Sequence, residues 1–408
     1  MKLLFILAWR NLWRNRKRSM ITISSVLFAV LLAIVFDSME RGSYERMIDS
    51  MVKYSTGYIQ IQDVMYEEEP SIDNSLLFDE QLTDLINEYS SDIAYTVPRI
   101  QNFALAATET QTRGTMVMGI DPELEIRLND LTDNLVSGEF LNRDDGDILL
   151  AEGLAGILAV NVGDTLVLLG QGFQGSTAAG KYRIKGLVDM KIPEMNNNAI
   201  YMTIETARWF YMAENRLTSL IIMPVNPRSS EQLAAELREN IDTEWYSVLT
   251  WQQMLKDLLA LMEFDTAGSK VMMMILYIVI TFGLFGTILT MMIERQREFA
   301  MLISLGMKRS RLALVCFLES IFISFTGVLA GIIAAIPIVA YFHFNPIKLK
   351  GEMAESMLDY GFEPLMPFSS DPNIFLNQAM IVLTFAFLVG LYPIYRVYKI
   401  NIVEVKQQ

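Results

Sequence analysis

Four long apolar runs constrain the fold of this chain more than any other feature of its sequence. They cover residues 19–36, 271–293, 312–341 and 374–395. Each has roughly the 18 or more residues that a helix needs to cross the apolar core of a bilayer. Backbone groups in lipid must be hydrogen-bonded within their own segment, so each run is predicted to be a transmembrane helix.

The charges are distributed unevenly between the segments that flank these runs. Residues 37–269 carry 38 acidic and 16 basic residues, in a chain whose net charge is −14. The segments 1–18, 294–311 and 396–408 carry 14 basic residues and only three acids. Because short basic segments stay in the cytoplasm, we predict that both termini and residues 294–311 are cytoplasmic and that the large acidic domain is outside. The acidic surface also argues against a nucleic-acid partner.

The basic segment 294–311, between the second and third runs, has the pattern of a short amphipathic helix. Its apolar side chains fall on one side of that helix: Phe299, Leu302, Ile303 and Leu305. Gly306 provides a C-terminal stop. A short helix that is tied to a span at each end can act as a lever. A helix that only lies at the membrane interface has the same pattern, so the residues alone leave both interpretations open.

Three stretches resemble a known family, the FtsX/MacB/LolC-LolE type of ABC-transporter permeases. Residues 294–319, ERQREFAMLISLGMKRSRLALVCFLE, resemble its coupling segment. Residues 8–23, AWRNLWRNRKRSMITI, and 392–405, YPIYRVYKINIVEV, resemble its entry into the first span and its exit from the last. The resemblance implies that an ATPase is contacted through Glu294, Arg295, Arg297, Glu298, Phe299, Leu302 and Gly306.

The resemblance also implies the location and the partners. The chain would be a multi-pass protein of the bacterial inner membrane, working with a cytoplasmic ABC ATPase dimer and a second permease chain, the same or paralogous. ATP and Mg²⁺ would be bound by that ATPase, since this sequence has no G-x-x-x-x-G-K-[ST] phosphate loop. With one cysteine and one histidine, Cys316 and His343, we predict no catalytic residue, no metal site and no cofactor in this chain.

The helical pattern continues beyond the first two spans. Apolar residues recur at helical spacing in 37–56 and again in 251–269. We therefore predict two stalks, 19–56 with the first span and 251–293 with the second. Two ordinary boundary helices explain the pattern equally well. The candidate substrate contacts on the stalks are Met39, Met47, Met51, Leu258 and Met262, because flexible methionines adapt to varied apolar ligands.

The residues between the stalks, 57–250, alternate between strand and helix patterns. They predict a large extracytoplasmic α+β domain inserted between the first two of four transmembrane helices, with two lobes, one inserted at about 134–189. Three pieces resemble the MacB-like periplasmic core domain: VMGIDPE at 117–123, SGEFL at 137–141 and GLAGILAVNVGDTLVLL at 153–169. Their order and spacing are most similar to the lipoprotein-releasing permeases.

One glycine-rich loop, GQGFQGSTAAG at 170–180, follows the last of these pieces. In one lipoprotein-releasing permease this place recruits a soluble chaperone, as the resemblance implies. The candidate chaperone or partner residues are Gly170, Gln171, Phe173 and Gln174. The loop is shorter than the family's and lacks proline, and a flexible hairpin tip is the alternative interpretation.

A single acid, Glu319, lies about two turns into the third span. An unpaired acid at the centre of a bilayer costs about 3 kcal/mol or more, so Glu319 should face protein or water. The family has an acid here, which implies that Glu319 braces the coupling helix from within. An acid close enough to the interface to stay hydrated is the alternative.

Four spans are too few to enclose a wide pore, so a substrate collected from the outer leaflet is favoured. The predicted function is the extraction of lipoproteins from the inner membrane for delivery to the outer membrane. Its partners would be the lipoprotein, membrane lipid and, as a further candidate, a periplasmic chaperone. Two alternatives remain: a MacB-type efflux permease for peptides or amphiphiles, and an FtsX-type scaffold that controls a cell-wall hydrolase. Residues 342–373 are predicted to be an external loop with one short helix.

Overall fold

The computed structural model describes residues 2–14, 16–190, 192–359 and 363–399. Among these residues, four helices (α2, α10, α12 and α14) are long and apolar enough to cross a membrane, as predicted. In chain order, the helices are α1 Lys2–Arg14, α2 Arg16–Met51, α3 Glu80–Glu88, α4 Pro122–Asn129, α5 Glu152–Leu158, α6 Pro193–Asn196, α7 Ile204–Tyr211, α8 Ser230–Asn240, α9 Trp251–Met254, α10 Lys256–Glu294, α11 Gln296–Ser304, α12 Arg309–Phe344, α13 Glu352–Asp359 and α14 Pro372–Tyr398.

The strands found among the described residues belong to three sheets. They are β1 Ile59–Asp63, β2 Leu76–Leu77, β3 Ile93–Ala107, β4 Thr112–Ile120, β5 Leu135–Gly138, β6 Ile148–Ala151, β7 Thr165–Gln171, β8 Thr177–Val188, β9 Ala199–Thr203, β10 Arg216–Leu217, β11 Ser219–Pro224, β12 Tyr246–Thr250, β13 Ile347–Lys348 and β14 Leu365–Met366. Ten of them form one sheet in the order β12-β1-β11-β3-β4-β9-β6-β8-β5, with β7 paired to β3 and β8. β2 pairs with β10 and β13 with β14.

The chain divides into two compact units. One consists of Met1–Glu45, Leu261–Lys348 and Leu365–Gln408, and holds the four spans. The other consists of Arg46–Ala260 and Leu349–Pro364, and holds the large sheet. Two of the four divisions fall inside α2 and α10, which are continuous helices of 36 and 39 residues. At 1.5 Å per residue each is more than 50 Å long, well beyond the ~30 Å of a bilayer core.

In the membrane unit, α12 packs closely against α2 because small residues line the contact. A Cβ atom added at Gly327 would lie 2.6 Å from the Cβ of Val26, and one at Gly331 would lie 2.9 Å from the Cβ of Val30. Both distances are too short for real side chains, so glycine is what allows the two backbones to approach. Pro337 lies inside α12, and the helix continues past it to Phe344.

In the other unit, local sequence signals fix where strands give way to helices. Asp121 follows β4 and accepts hydrogen bonds from the backbone N–H groups of Glu123 and Leu124, while Pro122 occupies the first turn of α4. Asp79 caps α3 in the same way through the N–H of Leu82. These caps place the helices on a sheet whose inward residues are almost all buried aliphatic side chains.

The inserted lobe predicted at about 134–189 does not form a sheet of its own. β6 pairs with β9 and β7 pairs with β3, so the strands β3, β4, β9, β6, β8 and β7 close into a ring. The reason is the length of β3, whose 15 residues pair with β11 at one end and with β7 at the other. A strand of that length joins both predicted lobes into one core.

The end of the first stalk is held by a buried ion pair. Arg99 on β3 donates to Glu125 on α4 at 2.5 Å, and both side chains are almost fully buried. The same guanidinium donates to the carbonyls of Tyr54 and Ser55, at 3.3 and 2.9 Å, in the π-helical turn Val52–Thr56 that follows α2. A cation beside the last carbonyls of a helix interacts favourably with the helix dipole. The stalk end is therefore fixed to the sheet.

Candidate coupling site

The predicted coupling segment contains a helix, α11, shorter than the segment itself. α11 ends in a Schellman turn, in which the N–H of Gly306 donates to the carbonyl of Ile303 and the N–H of Met307 to that of Leu302, both at 3.0 Å. Gly306 has φ of +93°, a conformation that costs glycine little and other residues much. The stop that the sequence predicted at Gly306 is therefore the turn that directs the chain into α12.

The apolar residues of α11 do not share one side, contrary to our expectation. Phe299 is buried and Ile303 packs beside it in the core of the membrane unit. Leu302 and Leu305 lie on another side and are 38% and 79% exposed, next to Met301, which is 64% exposed. Phe299 and Ile303 are four residues apart and Leu302 and Leu305 three, so the members of each pair lie close together on the helix surface, and the difference in burial between the pairs defines two stripes. The inner stripe holds the helix in place, and the outer stripe is an exposed apolar patch.

Glu319 is buried in α12 and has two hydrogen-bond donors. Arg295, just before α11, donates from Nη1 to Glu319 Oε2 at 2.6 Å. Asn11, on α1, donates from Nδ2 to Glu319 Oε1 at 2.5 Å. The side chain of Glu319 is only 2% exposed. The structure thus brings the acid predicted to lie within the membrane to the start of α11.

A second carboxylate, Glu298 on α11, extends this network to the surface. Arg295 donates from Nε to Glu298 Oε2 at 3.3 Å, and Arg14 on α1 donates to the same oxygen. Burial raises the pKa of Glu298, but the hydrogen bonds from Arg14 and Arg295 outweigh it and hold the pKa below its usual value. Glu298 is therefore ionised at neutral pH. We call the five residues Asn11, Arg14, Arg295, Glu298 and Glu319 the polar clamp.

The remaining predicted coupling residues lie at the edge of this arrangement. Glu294 is the last residue of α10, and Arg297 is an exposed residue of α11. A cavity of about 140 Å³ lies beside the polar clamp, lined also by Ser19, Thr22 and Thr287. Neither Asn11 nor Arg14 was predicted to belong to this site, because their partners lie about 300 residues away in the sequence.

The predicted substrate contacts on the stalks differ in exposure. Met39 is half-buried against the core of the membrane unit, and Met262 is 7% exposed. Met262 therefore cannot receive an apolar ligand in this conformation, which corrects that expectation. Met47, Met51 and Leu258 are half-buried in the other unit. The apolar side chains that α10 does expose nearby are Leu261 and Phe264, at 57% and 80%.

The predicted partner loop is a hairpin tip held against its domain. Its four candidate residues are Gly170 and Gln171 at the end of β7, and Phe173 and Gln174 in the turn. Asp73 accepts from the Gln171 amide at 3.3 Å and from the backbone N–H of Gln174 at 2.5 Å. The guanidinium of Arg216 lies 4.1 Å from the centre of the Phe173 ring. These contacts correct the expectation of a flexible tip.

Comparison with known proteins gives a family match for the carboxy-terminal part of the chain. Residues 270–402, which include α11, α12 and α14, match the family described as FtsX-like permease C-terminal. The resemblance found in the sequence is thereby confirmed for these residues, and the match supports an ABC-transporter permease similar to the FtsX-like family. The four membrane-length helices among the described residues, together with this match, support a multi-pass protein of the inner membrane.

A curated relative covers almost the whole chain. It is the lipoprotein-releasing system transmembrane protein LolC of Neisseria meningitidis serogroup B (strain ATCC BAA-335 / MC58), which is 23% identical over 395 residues, 92% of this chain and 90% of LolC.

Two solved domains are also similar to the chain. The periplasmic region of MacB from Actinobacillus actinomycetemcomitans is 14% identical, with 51% of this chain and 95% of that one covered and a TM-score of 0.36. The extracellular domain of the noncanonic ABC-type transporter YknZ from Gram-positive bacteria is 11% identical, with 48% and 100% covered and a TM-score of 0.34.

Proposed function

We propose that this permease extracts lipoproteins from the inner membrane for delivery to the outer membrane. The observation that carries the proposal is the similarity to LolC, a lipoprotein-releasing protein, across both the membrane and the outer parts of the chain. ATP would be hydrolysed by a separate ATPase dimer, and a second permease chain would complete the complex. A lipid-anchored substrate in the outer leaflet can enter sideways between few spans, without a wide pore.

The exposed patch of Met301, Leu302 and Leu305 is the proposed contact with the ATPase. Apolar side chains on a short cytoplasmic helix gain about 25 cal/mol for each Å² that a partner covers. The patch is 38–79% exposed per residue, whereas Phe299 on the inner stripe is buried. A force applied to the patch would pass through Phe299 and the Arg295–Glu319 pair into α12.

The stalks would carry that motion outward. α2 and α10 continue past the membrane-spanning length without a break, and a continuous helix transmits displacement along its axis. At the far end, β1 and β12 leave the two stalks as paired neighbours, with Ile59 opposite Thr250. Arg99 also holds the carbonyls at the end of the first stalk. The exposed apolar residues Leu261 and Phe264 are the sites on α10 that we propose for acyl chains.

The proposed orientation places the termini and α11 in the cytoplasm and the large domain in the periplasm. Single introduced cysteines test it in a Cys316→Ser background. A Lys308→Cys variant should be labelled by a membrane-impermeant maleimide only after the cells are opened, and a Glu68→Cys variant in spheroplasts without lysis. Labelling of residue 308 from outside would contradict the orientation.

Depletion of the protein tests the substrate. Newly made outer-membrane lipoproteins should then fractionate with the inner membrane, and the protein should copurify with an ATPase and a second permease. Normal lipoprotein sorting with lowered tolerance to drugs or peptides would replace the proposal with efflux. Normal sorting with copurification of a cell-wall hydrolase would replace it with a regulatory scaffold.

A further inference from the structure

We propose that the amino-terminal helix α1 positions the coupling helix, with Asn11 and Arg14 as its positioning residues. The proposal rests on the proposed function, since it concerns how force reaches the permease. It adds a third element to the lever: besides the patch on α11 and the buried Glu319 on α12, the lever needs α1 as a fixed support.

α1 is firmly attached to the third span. Ala8 and Leu12 are buried, and the ring of Trp9 lies edge-on to that of Phe322 on α12, with centroids 5.9 Å apart. The Ser19 hydroxyl donates to the carbonyl of Leu12 at 2.7 Å, which ties the end of α1 to the start of α2. Helix α1 is thus a rigid body from which Asn11 and Arg14 project.

Asn11 completes the coordination of the buried acid. The two oxygens of Glu319 are divided between Asn11 and Arg295, so each donor satisfies a different lone pair. A buried carboxylate oxygen that loses its donor keeps its desolvation cost. Asn11 therefore fixes the orientation of the Glu319 carboxylate, and through it the position of Arg295 at the start of α11.

Arg14 makes the weaker of the two links. The Arg14 and Glu298 side chains are 58% and 49% exposed, whereas those of Arg295 and Glu319 are 13% and 2% exposed. Exposed ion pairs are weak and are screened by salt, and buried pairs much less so. When α11 moves, the link from Arg14 to Glu298 should break first and that from Arg295 to Glu319 should persist. The cavity of about 140 Å³ beside the polar clamp leaves room for this rearrangement.

The experiment uses the full chain reconstituted with its ATPase and partner permease in proteoliposomes. The measured quantity is lipoprotein released per ATP hydrolysed. Asn11→Leu, which keeps the size but removes the donor, should lower this ratio by about tenfold, the scale set by losing a hydrogen bond to a charged group. Arg14→Gln should lower it by about two- to threefold. Arg10→Gln is the matched control: it removes a charge one turn from Arg14 on the same helix and should leave the ratio unchanged.

The dependence of this ratio on salt distinguishes a positioning role of Arg14 from a purely structural one. In the natural protein, the ratio should fall as ionic strength rises, because the Arg14–Glu298 link is exposed. In Arg14→Gln this dependence should be reduced, and Arg14→Gln/Glu298→Gln should be no worse than Glu298→Gln alone. An unchanged ratio in both Asn11→Leu and Arg14→Gln would overturn the proposal.

A docking variant, Leu302→Asp/Leu305→Asp, tests the contact of α11 with the ATPase separately from the role of α1. If it uncouples transport while the α1 variants remain fully coupled, the inference about α1 is wrong and the proposed function stands. If it too remains fully coupled, α11 is not the contact with the ATPase, and the proposed coupling route is wrong. If Asn11→Leu does not assemble, the exposed Arg14→Gln variant and its salt profile decide the outcome.

Discussion

A Glu319→Gln substitution removes the charge from the buried carboxylate that Arg295 and Asn11 share, while keeping the size of the side chain. Removing one partner of a fully buried ion pair costs roughly 3–5 kcal/mol. Arg295 retains a second carboxylate, Glu298, 3.3 Å from its Nε, and its side chain is 13% exposed. We therefore expect a smaller loss of stability, about 2 kcal/mol, which is about a 30-fold change in an equilibrium constant.

The converse change should cost more. Arg295→Gln leaves the carboxylate of Glu319 in the membrane unit with Asn11 as its remaining described donor. We expect this variant to lose about 3–5 kcal/mol. The double variant Arg295→Gln/Glu319→Gln removes both charges, so its loss should be smaller than the sum of the two single losses by about 1–3 kcal/mol.

The assay is reversible denaturation in mixed micelles, followed for the two single variants and the double variant. Transport per ATP in proteoliposomes is measured on the same preparations, and Glu68→Ala, which changes an exposed residue of the unit with the large sheet, is the control. If the losses add to within about 0.5 kcal/mol, Glu319 and Arg295 do not act as a pair. The route that we propose from α11 into α12 would then be wrong.

The remaining predictions concern the turn after α11 and the outer domain. Gly306→Val places a β-branched residue at φ +93°. It should cost at least about 1 kcal/mol of stability and change the direction in which the chain enters α12, so that the protein inserts but fails to stimulate ATP hydrolysis. Full stimulation of ATP hydrolysis would refute the role of the turn. Burial raises the pKa of Asp145, but the hydrogen bonds from the backbone N–H of Asn142 and the ammonium of Lys185 lower it by more. The pKa of Asp145 in the folded state therefore lies below its usual value. The stability that ionised Asp145 contributes is present above its unfolded-state pKa of about 3.9, and it is lost as the pH falls through its folded-state pKa. Asp145→Asn should therefore reduce the pH dependence of urea unfolding below about pH 4. An unchanged pH dependence would contradict a stabilising ion pair between Asp145 and Lys185.

Local properties of the sequence were sufficient to predict the spans and the stop after the coupling helix. The length of an apolar run and the preference of glycine for positive φ are set within a few residues, and Gly306 illustrates the second. The acid in the third span could also be singled out, because a charge there requires a partner. Its donor Asn11 could not, since it lies 308 residues away in the sequence and carries no pattern of its own.

For the domain that holds the large sheet, only the fold class was predicted. Alternating strands and helices indicated an α+β domain. The ring of strands, however, closes only because the end of β3 pairs with β7, and no local signal in the sequence determines that pairing. The two apolar stripes of α11 were missed for a similar reason. Phe299 and Leu302 have similar hydrophobicity, and only packing in the membrane unit decides that Phe299 is buried and that Leu302 is partly exposed.

The central claim is that the exposed patch on α11 couples an ATPase to lipoprotein release. Leu302 is already 62% buried, so a partner could gain only about 1 kcal/mol by covering it; Leu305, 79% exposed, offers about 2 kcal/mol. The most direct measurement is ATP-dependent release of a lipoprotein from proteoliposomes by the full complex, comparing the natural chain, Leu302→Asp/Leu305→Asp and Glu68→Ala. We predict release by the natural chain and by Glu68→Ala, and a loss of more than about tenfold in the double variant, although it still inserts. Equal release by all three would contradict the claim.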